Sequence, residues 1–174
     1  MSDVGKIAWD WWRYLNDPKT GDRASLARLR RCETALDAAS IPAGLRLARK
    51  LCAGAEDQNL DKALELAILL AQVRGDAPQK PMRAVGWKTF PSGKDAGEPP
   101  VLSELRFRQL LQTTPENRLE KFKRLVRLMK GAANVAELAQ DFWFWGDKVK
   151  KHWAFGYYAA ANPQPQTEPE GDAA

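Results

Sequence analysis

Residues 114–131, TPENRLEKFKRLVRLMKG, decide the fold class of this 174-residue chain. Thr114-Pro115-Glu116 is a helix-start signal, because threonine caps free N–H groups and proline's fixed φ and missing N–H do no harm in a first turn. Gly131 is a stop. Between them, at about 100° per residue, Leu119, Phe122, Leu125, Val126 and Met129 fall on one side, while Lys123, Arg127 and Lys130 fall on the other with Arg124 flanking them. The segment is a helix with a buried apolar face and a cationic outer stripe.

Downstream, Asn134 with Glu137 three residues on resembles a capping box, and Val135, Leu138, Phe142, Trp145 and Val149 follow steps of three and four that make a bundle-packing seam. Upstream, Val4, Ile7, Trp11 and Leu15 share a stripe that Asn16-Asp17-Pro18 ends, with Trp9 and Trp12 beside it. A second helix is expected from Asp22 to Leu36, with Leu26, Leu29, Cys32 and Leu36 inward and Arg23, Arg30 and Arg31 outward. Pro42 suits the first residue of a third, with Leu47, Ala48, Leu51 and Cys52 opposite Arg46, Arg49 and Lys50. From Leu60 to Arg74 the chain is apolar nearly all round, save a strip of Asp61, Lys62, Glu65 and Gln72, and should be a buried central helix. Leu102 to Gln112 makes a fifth helix before the quoted segment.

Gly75–Pro100 holds four glycines and five prolines and reads as a long loop with a basic bias from Lys80, Arg83, Lys88 and Lys94. No strand-like alternation or fixed-period repeat is convincing. The expected fold is all-α and two-lobed without a sheet: residues 1–75 form a lobe of about four helices, 76–100 a Gly/Pro-rich basic connecting loop, and 101–158 a lobe of about three helices. Residues 159–174, AAANPQPQTEPEGDAA, read as a disordered tail.

Twenty-seven Lys and Arg against 22 Asp and Glu give a formal charge of +5 and a pI near 9.3, which favours polyanionic partners. Cys32 and Cys52 lack zinc or redox spacing and read as reduced core residues. Neither a leader nor an apolar run of about 18 residues is visible, so a soluble, cytoplasmic protein with no membrane partner is expected. His152, the sole histidine, lies among Lys150, Lys151 and Trp153, and a structural or surface role fits it better than catalysis. The pairs Asp57 with Asp61 and Asp141 with Asp147 lack the oxygen density of a calcium loop. Gly86-Trp87-Lys88 and Ser92-Gly93-Lys94 lack Walker spacing. No catalytic residue, metal or cofactor is therefore expected.

Phosphate binding asks for several cations on rigid elements. The second, third and sixth helices offer such faces, and Arg106 and Arg108 add a pair in the fifth. Arg106 projects between Leu102 and Leu110, where it is either partly shielded or paired with an acid such as Glu104. The candidate nucleic-acid contacts are Arg23, Arg30, Arg31, Arg46, Arg106, Arg108, Lys123, Arg124, Arg127 and Lys130. Trp11, Trp143, Trp145 and Trp153 sit at spacings of core or interface residues rather than of stacking platforms. Two alternatives remain: a helix-turn-helix regulator with residues 23–31 or 118–130 as recognition helix, and a helical scaffold docking acidic protein surfaces.

LARLRRCET at 26–34, SIPAGLRLARKL at 40–51, LSELRFRQLL at 102–111 and LEKFKRLVRLMKGAANVAELAQDFWFWGDKVKKHWAFGYY at 119–158 together resemble the CasB family, the small subunit of the type I-E CRISPR Cascade surveillance complex. The resemblance spans about residues 5–158 and departs mainly between Gly75 and Pro100. It implies an all-helical, two-lobed, non-catalytic protein present in two copies beside the crRNA and the backbone and large subunits. Such a protein would help hold the crRNA–target DNA duplex and the displaced strand of the R-loop. It places Arg30 and Arg31 on the family's paired arginines, Arg46 on the basic position after the Ile-Pro turn, Arg106 on the arginine of the fifth helix and Arg124 on the basic position of the sixth.

Overall fold

A helix that is apolar nearly all round has to be largely surrounded, and α5, Glu56–Ala71, is from Ala63 onward. Ala63, Leu64 and every residue from Leu66 to Ala71 are buried. The computed structural model describes residues 3–53, 56–89 and 98–158; the expected 159–174 tail, Lys94 and the Ser92-Gly93-Lys94 fragment lie outside them, as does the Asp57 side chain.

Around α5 stand α1 (Asp3–Asn16), α2 (Arg23–Arg31), α3 (Ala35–Ala39), α4 (Pro42–Leu51), α8 (Arg118–Leu128) and α9 (Val135–Trp143). Further on in the chain lie α6 (Pro81–Val85), α7 (Glu104–Leu111) and α10 (Asp147–Tyr157), and a 3-10 turn at Pro115–Asn117 leads into α8. Tryptophan N–H groups tie the entry helix down: Trp11 Nε1 donates to the Ala43 carbonyl at 2.8 Å and Trp12 Nε1 to that of Val73 at 3.0 Å. α1 also packs along α9, closely enough that a Cβ on Gly5 would stand 3.0 Å from the Ala136 carbonyl oxygen. At the other end, Tyr157 stacks on Phe107 at 3.9 Å and donates its hydroxyl to the Leu102 carbonyl, joining α10 to α7. The buried apolar side chains form one connected core from Ala8 to Tyr157.

The all-helical class holds, with differences in detail. The expected 22–36 helix is broken: Cys32 is extended, and Thr34 and Asp37 cap each other to start α3. That break turns Leu36 outward, leaving it 82% exposed where the periodicity of the second helix had it inward. The 76–100 stretch, expected as loop, contains α6, which buries Pro81, Met82 and Val85. A sheet, expected to be absent, exists in minimal form, Gly75–Asp76 (β1) pairing in parallel with Ala132–Ala133 (β2). Asp76 extends this link, accepting from the Val135 N–H and from Trp9 Nε1. The chain reaches β2 through a left-handed turn at Lys130 (φ 56°) and Gly131 (φ 80°). Finally, the seam from Val135 to Val149 is carried by two helices that part at Phe144–Gly146.

Candidate nucleic-acid interface

The apolar face of α8 packs as its periodicity requires, with Leu119, Phe122, Leu125 and Val126 buried. Phe122 meets Phe142, Trp145 and Trp153 edge-on or tilted at 5.1–5.2 Å between centroids. The helix is pinned at its start by Arg118, only 8% exposed, whose guanidinium donates to Glu65 at 2.9 Å and lies 4.3 Å over the Phe142 ring. Lys62 stands 4.5 Å over Trp143, and burial, with Arg118's charge second, holds its ammonium below the usual lysine range. Arg118, so engaged, is unavailable as a base reader in the recognition-helix alternative for this segment.

With α8 fixed, its outer cations divide. Lys121 and Arg124 turn toward α7, where Arg106 and Gln109 face them over a floor of Leu102, Leu110 and Leu125. Arg106 is exposed rather than shielded, and Glu104 is taken instead by Arg108 at 3.4 Å. Arg124 pairs with Glu120 one turn away, but both are largely exposed, and such pairs contribute only about 0.3–0.5 kcal/mol, so a phosphate can displace the carboxylate. Lys121 was not among the expected contacts. Its signal was its place three residues before Arg124 on one helical face.

Lys123 and Arg127 turn the other way, into a groove against α3 and α5 that is also lined by Glu33, Asp61, Glu65, Glu116 and Glu120. There Lys123 donates to the Cys32 carbonyl at 3.4 Å, satisfying the end of α2. Arg30 does similar work, its Nε donating to the Ala71 carbonyl at 2.7 Å while its own carbonyl accepts from Gln72. Arg46 lies 4.0 Å from Asp22 and over the Tyr14 ring. Hydrogen bonds from Ser25, and then that guanidinium, hold the Asp22 carboxyl below its usual range. Arg23, Arg31 and Lys130 are exposed with no acidic partner among the described residues. The structure thus brings Arg106 and Arg124 together with Lys121, and distributes the remaining candidates: Arg23, Arg30 and Arg31 on α2, Arg46 on α4, Arg108 paired on α7, Lys123 and Arg127 on the acidic side of α8, and Lys130 in the turn after it.

His152 is exposed, Cys32 and Cys52 are buried, and among the described residues no three His, Cys, Asp or Glu side chains gather as a cation site. No helix among them is long and apolar enough to cross a membrane.

Residues 25–158 match the model of a protein family described as CRISPR-associated protein Cse2. In structure the chain is similar to CasB from Thermus thermophilus, with a TM-score of 0.64 at 22% identity over 91% of this chain and 99% of that one. It is also similar to a chain of E. coli Cascade bound to a PAM-containing double-stranded DNA target, with a TM-score of 0.60 at 17% identity over 89% and 97%. Curated protein sequences offer no significant match.

Proposed function

Because the chain belongs to the Cse2 family of CRISPR-associated proteins, we propose that it acts as a non-catalytic subunit of a type I-E Cascade complex and holds nucleic acid by its phosphates. One observation carries this: Arg106, Lys121 and Arg124, from two helices fixed by a common core, converge on one leucine-floored groove. Three cations beside a single amide, Gln109, suit a backbone that must be gripped whatever its sequence. In an RNA-guided complex base pairing supplies the sequence specificity, so phosphate contacts are the contribution a helical subunit has left to make. In that role its partners are the crRNA–target DNA duplex, the displaced strand, the backbone and large subunits and a second copy of itself, and its place of work is the cytoplasm.

Salt titration of binding to single- and double-stranded oligonucleotides tests the proposal. The logarithm of the association constant should fall linearly with that of the salt concentration, alike for unrelated sequences. Replacing Arg106, Lys121 and Arg124 together by Gln should flatten the slope by about 2–3, since each phosphate contact contributes roughly 0.7–0.9. An unchanged slope would remove this groove from the interface.

A further inference from the structure

A second groove, bordered by α6 and the residues before it, by α9 and by α10, shares no residue with the one between α7 and α8. On its walls stand Phe144 and Phe155, which are 54% and 53% exposed. Other large apolar side chains are exposed too, Tyr14, Leu36, Val101 and Leu105 among them, but these two aromatic rings share one groove. Spacing explains their position. Phe144 ends a seam with Glu137 and Asp141 along α9, and Phe155 ends one with Lys148 and His152 along α10, each in steps of three or four residues that keep it on the groove.

The charges around these rings are not balanced. Three cations, Lys80, Arg83 and Lys148, stand against two carboxylates: Glu137, matched by Lys80 at 3.6 Å, and Asp141, which accepts from Trp153 Nε1 at 2.7 Å and keeps its own charge. Arg83 and Lys148 are exposed and have no acidic partner among the described residues. The groove therefore presents two aromatic faces and two uncommitted cations.

We propose that this groove is a stacking platform for an unpaired nucleic-acid strand, with Phe144 and Phe155 each receiving a base and Arg83 and Lys148 holding neighbouring phosphates. A duplex offers the phosphates but hides its base faces. An acidic peptide would satisfy the cations and leave the rings unused. A single strand alternates the two chemistries, and aromatic side chains accept any base because every base has a π-face. Trp153, the tryptophan that lines this groove, is occupied: it is buried and packs on Phe122 and Trp145. The proposal rests on the chain being a nucleic-acid binder, and adds a base-dependent contribution that a phosphate grip alone does not provide.

The test compares, with the full chain at low salt, an oligothymidylate of about ten nucleotides and an abasic analogue of equal length with the same phosphates. Wild type should bind the base-bearing strand at least about fivefold more tightly, the smaller end of what one stacked base contributes. Phe144→Ala with Phe155→Ala should abolish that preference and leave affinity for the abasic strand unchanged; Phe144→Tyr with Phe155→Tyr should restore it. Quenching of a 2-aminopurine placed in the strand reads stacking on the wild type without any variant. Equal binding of the two strands by wild type, or a preference that survives the alanine pair, overturns the platform while leaving the α7–α8 groove standing. Absence of binding to either strand overturns both.

Discussion

The two sides of α8 carry similar cations and have opposite surroundings. Toward α7, Lys121 and Arg124 join Arg106 over leucines, with Glu120 paired to Arg124 at the edge, whereas toward α3 and α5, Lys123 and Arg127 stand among Glu33, Asp61, Glu116, Glu120 and a Glu65 already held by Arg118. On the proposed function a polyanion would be drawn to the first side rather than the second, although the four cations fall within seven residues of sequence. The difference teaches that a charge stripe on one helix becomes a binding surface only through what the neighbouring helices place opposite it.

The largest expected effect breaks the comparison by freeing α8. Glu65→Ala leaves the Arg118 guanidinium buried without its anion and beside Lys62, which should cost about 3–5 kcal/mol, read as a lowered midpoint of urea unfolding. Replacing both partners by Met should cost far less, because the uncompensated buried charge is then gone. If Glu65→Ala proves neutral, the ion pair does not hold the helix in place.

A smaller effect comes from the support behind α8. Asp141 accepts from Trp153, which packs on Phe122, and burial raises its carboxyl from 3.8 to about 6. A raised acid favours the fold fully only below the unfolded value, and that contribution is lost as pH climbs through the folded one. Asp141→Asn keeps an acceptor for the indole and removes the buried charge. It should stabilise the protein by about 2 kcal/mol near pH 8 and by progressively less down to about pH 4, seen in denaturant midpoints across that range. Equal stabilisation at both ends of the range would contradict the assignment.

The smallest effect sharpens the comparison. Lys123→Gln with Arg127→Gln should flatten the salt slope of nucleic-acid binding by less than about 0.7, under one phosphate contact and well short of the change at the α7–α8 groove. A change as large as that one would make the two sides equivalent.

Much of the fold was legible. Thr114-Pro115, Asn134 and Pro42 mark helix starts through their own backbone chemistry, and the faces of α1, α4, α5 and α8 follow from periodicity. Leu36 was misjudged because the spacing from Leu29 through Cys32 continues across a break that the Thr34–Asp37 capping box imposes; the pair was visible, but outweighed by the longer pattern. α6, five residues long, is too short for a period to declare itself. The β1–β2 pairing, two residues on each strand, leaves no pattern at all.

The sequence alone determined the all-helical class, the apolar side of the longer helices and how many cations stand on the other. Tertiary structure decided what each cation faces: a carbonyl at the end of α5 for Arg30, the α2 terminus for Lys123, a carboxylate inside the fold for Arg118, a leucine-floored groove for Arg106 and Arg124. The reason is range. Helical periodicity is set by bonds within one segment, but the energy of a charge depends on groups a few ångströms away, and those come from helices far off in the chain.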